Sequence, residues 1–284
     1  MAKRIESPSS INTFRHCQRK YYYQYVEKLP TLSNIHQVRG NIAHSALELF
    51  FDIDLTFIPP EDYSHHFQSA MQRLFLGSWK SHQPELQRLN LSQDQERFYF
   101  EETMLMLMNW TTQFCEELGQ TMLRKKMPLP EAFFSLTPIR EQEFSSAGYS
   151  VRGFIDAIHQ VENEVHIIDY KTNSSFEFKD EIRLQLAIYS LLYYEKHGKI
   201  PAKVGIFFLR HKLKLMRVDE ELLNLAKREI QLIHAHTSVK EQKEDYPKKV
   251  GPLCKWSTGK CNFYEICKPH EEEPIRLPPE NSTV

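Results

Sequence analysis

Two short hydrophobic runs near the middle of the chain each end in an aspartate, within the segment "GFIDAIHQVENEVHIIDYKTN". Asp156 closes the first run, Asp169 closes the second, and Lys171 follows two residues later. Aspartate is uncommon inside strands, so turn positions are the ordinary interpretation of both residues. If the runs are neighbouring antiparallel strands, however, opposed side chains lie about 5 Å apart. Two carboxylates at that distance repel, and a divalent cation relieves the repulsion.

The lysine extends this chemistry. Side chains alternate along a strand, so Lys171 lies on the same side as Asp169. Oxygen ligands with open positions suit Mg²⁺ or Mn²⁺, and an ammonium group beside them can stabilise charge on a phosphate or orient an activated water. The three residues therefore predict phosphodiester hydrolysis; the alternative is a pair of turn aspartates with a solvated lysine.

Two predicted helices carry residues that could complete such a site. His44, in "RGNIAHSALELFF", could approach the same ion as a nitrogen ligand. Gln185 and Tyr189, in "RLQLAIYSLLYY", are four residues apart and share one helical face, from which they could hold the lysine and the substrate. The alternatives are that the histidine only makes hydrogen bonds within the core and that the second helix is simply amphipathic.

Four motifs follow one another along the chain. They read His44, then Gly153-x-x-Asp156, then Asp169-Tyr170-Lys171, then Gln185-x-x-x-Tyr189. This order resembles the RecB-type branch of the PD-(D/E)XK nuclease superfamily, whose pattern is a helical histidine, "GxxD", "DYK" and "QxxxY". The resemblance implies a catalytic set of Lys171, Asp156, Asp169, Gln185 and Tyr189, and metal ligands His44, Asp156, Asp169 and the main-chain carbonyl of Tyr170. Glu143 matches an acidic position often found before the second motif.

The elements that must position these residues predict an α/β protein. Alternation and turn signals predict strands near 139–145, 150–159 and 164–170, followed by a helix at 179–197, a strand in "KVGIFFLR" and a further helix. The resemblance implies a restriction-endonuclease-like core, a mixed central sheet flanked by helices. Within a single domain over 1–284, we expect a helical insertion at 53–130, a cysteine-rich segment at 250–270 and a disordered tail at 271–284.

Four of the five cysteines suggest a second metal centre. Cys254, Cys261 and Cys267 lie close together in sequence, whereas Cys17 lies far upstream. Thiolates gathered in this way suit zinc or a [4Fe–4S] cluster, and free thiols are the alternative. AddB-type and CRISPR-adaptation nucleases also carry one cysteine before the nuclease core and three after it, so the resemblance implies a [4Fe–4S] cluster. Zinc remains the alternative because six residues separate the first two cysteines of the trio, where the family commonly has two. Cys115 is expected to pack in the core.

The composition and charge of the chain further limit the functions that it can have. The 36 Lys and Arg residues nearly balance the 37 Asp and Glu residues, so a nucleic-acid surface must be local; Arg15, Arg19, Lys20 and the segment 210–217 are candidates. The aromatic run "YYYQY" could stack on unpaired bases. No stretch approaches the ~18 apolar residues of a membrane span, and the N-terminus lacks a signal-peptide core, so we expect a soluble cytoplasmic protein that does not contact a membrane.

Together these features predict a divalent-metal-dependent DNA nuclease. We expect an exonuclease that acts on single-stranded DNA or duplex ends in DNA repair, recombination or CRISPR adaptation. No GxxxxGK[ST] loop occurs, so a helicase or another repair or CRISPR-adaptation protein would be a separate partner. The alternative is a non-catalytic Fe–S or zinc DNA-binding or structural subunit that keeps a nuclease fold.

Overall fold

One five-stranded sheet with helices on both faces forms the centre of the molecule. The computed structural model describes residues 4–256 and 259–270, so the tail predicted at 271–284 lies outside the described residues. Over the part of the chain that is described, no helix combines the length and the apolar character that crossing a membrane requires.

The sheet has the same strand order in space as in sequence. Strands β1, β2 and β3 form an antiparallel meander, β3 and β4 are parallel, and β5 is antiparallel to β4. A parallel step requires a crossover, and helix α8 (Asp180–His197) provides it. The mixed sheet expected from the sequence is confirmed. The strand bounds are β1 Ile139–Ser146, β2 Val151–Val161, β3 Glu164–Lys171, β4 Lys203–Phe208 and β5 Leu213–Arg217.

Strand β5 is the one strand of this sheet that the sequence analysis missed. Its segment "LKLMR" was interpreted only as a source of positive charge. Leu213 and Leu215 nevertheless pack against the core, while Lys214 lies between them. Lysines are common on edge strands that must not pair with other chains.

Each face of the sheet has its own hydrophobic core. Ile167 packs with helices on one face and the adjacent Ile168 with helices on the other, because neighbouring strand residues point in opposite directions. The first face is covered by α1 (Pro8–His16), α8 and α9 (Glu220–Thr237). The second is covered by α3 (Ile35–Phe50), α4 (Tyr63–Ser81), α5 (Gln83–Arg88), α6 (Gln93–Lys125) and α7 (Leu129–Leu136).

Strand β2 loses its regular alternation at Asp156. Ile155 and Ile158 pack into the same core although they are three positions apart, where regular alternation would place them on opposite faces. The neighbouring strand is irregular at the facing position, where Glu141 has a φ of 45°. Such irregularities re-aim side chains beside active sites, and this one directs the Asp156 carboxylate toward β3.

The N-terminal segment "SPSSINTFRHCQRKYYYQYVEKLP" has apolar residues at helical spacing and predicts one helix capped by Ser7 or Ser9, but the observed helix ends earlier. Ser7 caps α1 with a reciprocal side-chain and backbone pair to Ser10. At Cys17 the backbone becomes extended, with φ −161° and ψ 111°, before α2 (Gln18–Tyr21) and a π-helical turn at Tyr22–Val26. The single helix expected over this stretch is therefore wrong, and the break lies at a cysteine.

The C-terminal segment returns to the N-terminal helices. After a 3₁₀ turn at Lys243–Asp245, the Arg19 backbone N–H donates to the Pro247 carbonyl (3.2 Å) and the Arg19 Nε donates to the Tyr246 carbonyl (2.8 Å). These bonds close the long loop between the two ends. The remaining short elements are β6 (Lys255–Trp256), β7 (Gly259–Lys260) and α10 (Tyr264–Cys267).

Candidate metal and catalytic site

The aspartates of the two hydrophobic runs face each other at the end of the β2–β3 ladder. The last regular pair is Ala157 with Ile168, so Asp156 and Asp169 occupy the next opposed positions. Asp156 Oδ2 accepts a hydrogen bond from the Tyr170 N–H (2.8 Å). The side chain thereby satisfies a main-chain donor that the interrupted ladder leaves free, and both carboxylates are buried.

A histidine and a second acid meet Asp156. His44 Nδ1 lies 3.4 Å from Asp156 Oδ2 and 3.8 Å from Glu141 Oε1. His44 Nε2 lies 3.0 Å from the Tyr170 carbonyl oxygen. Arg140 holds α3 against β1 by donating to the Glu48 carbonyl and to Asp52 Oδ1, which sets the position of the histidine.

The second aspartate is held by two other side chains, and a third side chain orients one of them. Lys171 Nζ lies 2.7 Å from Asp169 Oδ2, as the alternation of β3 predicted. Gln185 Nε2 donates to Asp169 Oδ1 and to Tyr189 Oη, each at 2.8 Å. The predicted helical pair therefore orients the carboxylate from α8.

Burial and charge together perturb the titration of this group. Burial and the nearby Asp169 raise the pKa of Asp156 to about 7. Burial disfavours the imidazolium of His44, but Glu141 and Asp156 outweigh it and raise its pKa to about 9. Burial likewise favours the neutral amine of Lys171, yet Asp169 and Asp156 raise its pKa. Lys171 thus keeps its positive charge, and the buried carboxylates attract cations.

The donor atoms fit a hard divalent ion. One ligand atom from each of His44, Glu141 and Asp156 lies within 4.8 Å of the others. Octahedral Mg²⁺ with ligands near 2.1 Å places adjacent donors about 3.0 Å apart, and His44 Nδ1 lies 3.4 Å from Asp156 Oδ2 and 3.8 Å from Glu141 Oε1. One nitrogen among carboxylate and carbonyl oxygens also suits Mn²⁺.

Glu141 is the member of this group that the sequence analysis missed. Both Glu141 and Glu143 are acids of β1, and the resemblance favoured Glu143. Glu143 is exposed and pairs with Arg152 at 3.6 Å, so it does not join the group. The left-handed backbone at Glu141 separates the two acids, and no sequence periodicity signals that conformation.

The four cysteines singled out in the sequence line one cavity of about 440 Å³. The unexpected spacing between Cys254 and Cys261 is accommodated by the β6–β7 pair, which brings the Cys261 N–H to 2.9 Å from the Cys254 carbonyl. Tetrahedral Zn–S geometry places sulfurs about 3.8 Å apart, whereas among the described residues no three thiol sulfurs lie within 4.8 Å of one another. Cys115 is buried, which raises its pKa to about 11, and its predicted packing role is confirmed.

Part of the prediction for the nucleic-acid-binding surface is wrong. Arg19 is buried and bonded to the C-terminal segment, so it does not present charge to a phosphate. Tyr21 and Tyr23 of the aromatic run are also buried; they support the N-terminal helices rather than offering faces for base stacking.

Comparison with known proteins identifies the family. The family model described as the PD-(D/E)XK nuclease superfamily matches residues 6–268. The crystal structure of a protein from Eubacterium rectale described as a "Putative exonuclease" aligns at a TM-score of 0.48 and 10% identity, covering 97% of this chain and 91% of that chain. No curated protein matches the sequence.

Proposed function

This chain belongs to the PD-(D/E)XK nuclease superfamily, and on that premise we propose that it is a divalent-metal-dependent DNA nuclease of the RecB-type branch. We further propose exonuclease action on single-stranded DNA or duplex ends, in DNA repair, recombination or CRISPR adaptation. The observation that carries the proposal is the contact of Lys171 with Asp169 beside the group of His44, Glu141 and Asp156.

The residues have distinct parts in the proposed reaction. The ion would be held by His44, Asp156, Asp169 and the carbonyl of Tyr170, with Glu141 beside them. When bound, it would polarise the phosphate and lower the pKa of the attacking water. Lys171 remains charged and can donate to an oxygen on which negative charge develops.

Two residues on α8 hold this arrangement in place. Gln185 uses both amide hydrogens, one on Asp169 and one on Tyr189, which fixes the direction of the carboxylate. Burial and Asp169 raise the pKa of Tyr189 well above its ordinary value, so the phenol stays neutral and accepts the second hydrogen bond.

A cleavage assay tests the function. Wild-type protein should degrade end-labelled single-stranded or duplex DNA with Mn²⁺ or Mg²⁺, and chelation should stop the reaction. Asp169→Asn and Lys171→Met should each lower the rate by about 1,000-fold or more, while DNA binding remains. Lys199→Met, an exposed lysine outside the site, is the matched control. DNA binding without cleavage by the wild type would favour the alternative, a non-catalytic DNA-binding subunit.

We also propose a [4Fe–4S] cluster at Cys17, Cys254, Cys261 and Cys267, with zinc as the alternative occupant. Support comes from the four free thiols around one cavity. Thiolate ligation is the usual way in which proteins hold such clusters. The centre would join the N-terminal helices to the C-terminal segment.

A further inference from the structure

A second pocket of about 400 Å³ lies beside the proposed active site. Helix α3 contributes Arg39, α6 contributes Glu102 and two aromatic residues, and the chain after β4 contributes Arg210. Asn173 and Ser174, which follow β3, line it as well. None of these residues belongs to the metal and catalytic group described above.

The pocket carries a net positive charge. Arg39 and Arg210 both donate to Glu102, and these two contacts hold the pKa of Glu102 below its ordinary value. Two guanidinium groups thus face one carboxylate. Both also reach the Thr172 carbonyl, at 3.4 Å from Arg39 Nη2 and 3.2 Å from Arg210 Nε, so the charges are fixed in position before any ligand arrives.

Several polar atoms of the pocket lack partners. Arg39 is only 4% exposed, yet its Nε has no hydrogen-bond partner, and the buried Asn173 Oδ1 has none either. Arg210 Nη2 makes no hydrogen bond to another described residue. Buried polar groups are normally satisfied, so the described side chains leave hydrogen-bonding capacity unused around this pocket, and the partly exposed Arg210 Nη2 is the donor that a phosphate oxygen can reach.

The pocket is joined directly to the catalytic strand. Thr172 follows Lys171, and the Lys171 carbonyl accepts from the Leu209 N–H at 2.9 Å, one residue before Arg210. Asn109 of α6 clamps the same loop by donating to the Leu209 carbonyl at 2.9 Å. On α3, Arg39 precedes His44 by five residues, an axial offset of about 7.5 Å.

Aromatic rings line the same pocket. Phe98 is 56% exposed, and the Tyr99 ring lies 5.3 Å from the Arg39 guanidinium. Exposed rings beside cationic grooves bind unpaired bases by stacking. A base within a duplex has both faces covered by its neighbours, so this combination favours an unpaired nucleotide.

We propose that this pocket is a nucleotide subsite that holds one unpaired nucleotide of the substrate strand, with its phosphate on Arg210 and Arg39 and its base against Phe98. This inference rests on the proposed nuclease function and specifies the substrate at that site as a single strand. It also gives the helices of residues 53–130, which we interpret as an insertion, a role in substrate binding, since α6 supplies the aromatic wall.

Salt-dependent binding tests the phosphate contact. In a Lys171→Met background, which is expected to bind without cutting, the affinity for a single strand of about 12 nucleotides is measured over a range of salt concentrations. Arg210→Ala should weaken binding by about tenfold and reduce the slope of log K against log salt by roughly 0.7, the value for one phosphate on a single strand. Arg210→Lys, which keeps the charge near Glu102, should recover most of the slope.

The matched control is Arg228→Ala. Arg228 is exposed on α9, across the sheet from the pocket, so its removal should leave the slope unchanged. Equal slopes for Arg210→Ala and the parent, with both proteins folded by thermal melting, would refute the subsite. A structural role for Arg210 alone would change the melting temperature without changing the slope.

DNA strands that lack one base test whether a base stacks on Phe98. The parent should bind a strand with one abasic position near the cut less tightly than the intact strand, by about fivefold or more. Phe98→Ala should remove that difference, whereas Phe57→Ala, an exposed phenylalanine beyond the other end of α3, should keep it. If Phe98→Ala still bound the intact strand more tightly than the abasic strand, the base would not stack on Phe98.

The two proposals fail in different experiments. If wild-type protein cleaves DNA but Arg210→Ala and Phe98→Ala behave as the parent does, the subsite is wrong and the nuclease function stands. If wild-type protein binds a single strand through Arg210 but does not cleave it with Mn²⁺, the nuclease function is wrong and the subsite stands.

Discussion

Two glutamates of one strand show how a single backbone conformation selects a site residue. Glu141 and Glu143 are two positions apart, and regular alternation would place both on the same face of β1. The positive φ of Glu141 breaks that rule, so Glu141 meets His44 and Glu143 remains in solvent beside Arg152. The acid in contact with the metal group is therefore decided by strain at one residue rather than by its place in a motif.

This difference leads to a residue-scale prediction for Glu141→Gln. The substitution keeps the shape of the side chain but removes its charge, so we expect the affinity for Mn²⁺ to fall by about tenfold to 100-fold, as measured by calorimetry and by the metal concentration that supports half-maximal cleavage. Glu143→Gln is the matched control and should behave as wild type does. Equal effects of the two variants would remove Glu141 from the metal group.

A half-buried histidine away from the site predicts how stability depends on pH. Burial, together with the nearby His166, lowers the pKa of His159 to about 4. The unfolded chain takes up this proton near pH 6.5, so the free energy of unfolding should fall between pH 6.5 and pH 4, by up to about 3 kcal/mol. The contribution is fully present above pH 6.5.

Urea denaturation at several pH values measures this effect. In His159→Leu the fall in stability between pH 6.5 and pH 4.5 should be smaller than in wild type. His65→Leu, a change of an exposed histidine, should leave the fall unchanged. An identical pH dependence in wild type and His159→Leu would show that His159 does not carry the effect.

At the scale of elements, the close packing of α8 against β2 positions a carboxylate of the candidate site. Gly153 lies where an added Cβ would meet Tyr189 Cε1 at 3.0 Å and Leu192 Cδ1 at 3.4 Å. Tyr189 accepts from Gln185, which also donates to Asp169. The glycine of the "GxxD" motif therefore permits the close approach of the helix that orients a carboxylate of the site.

Gly153→Ala tests this connection. The added methyl group should displace Tyr189, lower the cleavage rate by about tenfold, and cost roughly 1–3 kcal/mol of folding free energy by overpacking. Gly40→Ala is the control, since a Cβ there meets nothing within 4 Å and alanine favours helix. Cleavage at the wild-type rate by a folded Gly153→Ala protein would contradict the connection.

The boundaries of strands and helices were predicted correctly where the hydrophobic periodicity of the sequence was strong. The β1–β3 meander and α8, with Gly198 as its left-handed C-cap, are confirmed because alternation and turn residues agree. Strand β5 was missed because its basic residues, Lys214 and Arg217, obscured two inward leucines. The break at Cys17 was missed because helical spacing continues on both sides of it.

At the scale of the whole molecule, the proposed cysteine centre would close a very long loop. Cys17 lies near the beginning of the chain, whereas Cys254, Cys261 and Cys267 lie near its end. A cross-link over more than 200 residues removes roughly 5 kcal/mol of unfolded-state entropy in the chain-entropy model. The centre would therefore stabilise the fold even though it takes no part in the proposed hydrolysis.

Cys17→Ser tests that role. Protein purified without oxygen should lose its bound iron and visible colour, and its melting temperature should fall by several degrees. Cys115→Ala removes a thiol from the core instead and should keep the iron. Wild-type protein that contains zinc, or no metal, after anaerobic purification would refute the iron–sulfur assignment.

The amino-acid sequence shows which reactive side chains the protein has and in what order they follow one another along the chain. Alternation predicted that Asp156 and Asp169 oppose each other and that Lys171 lies beside Asp169, and both placements follow from the local geometry of strands. Tertiary contacts placed Glu141 beside His44 and Asp156, buried Arg19, and brought Arg39 and Arg210 together around Glu102. The physical reason is that these outcomes depend on one irregular backbone conformation and on contacts between segments far apart in the chain, and neither leaves a periodic signal in the residues themselves.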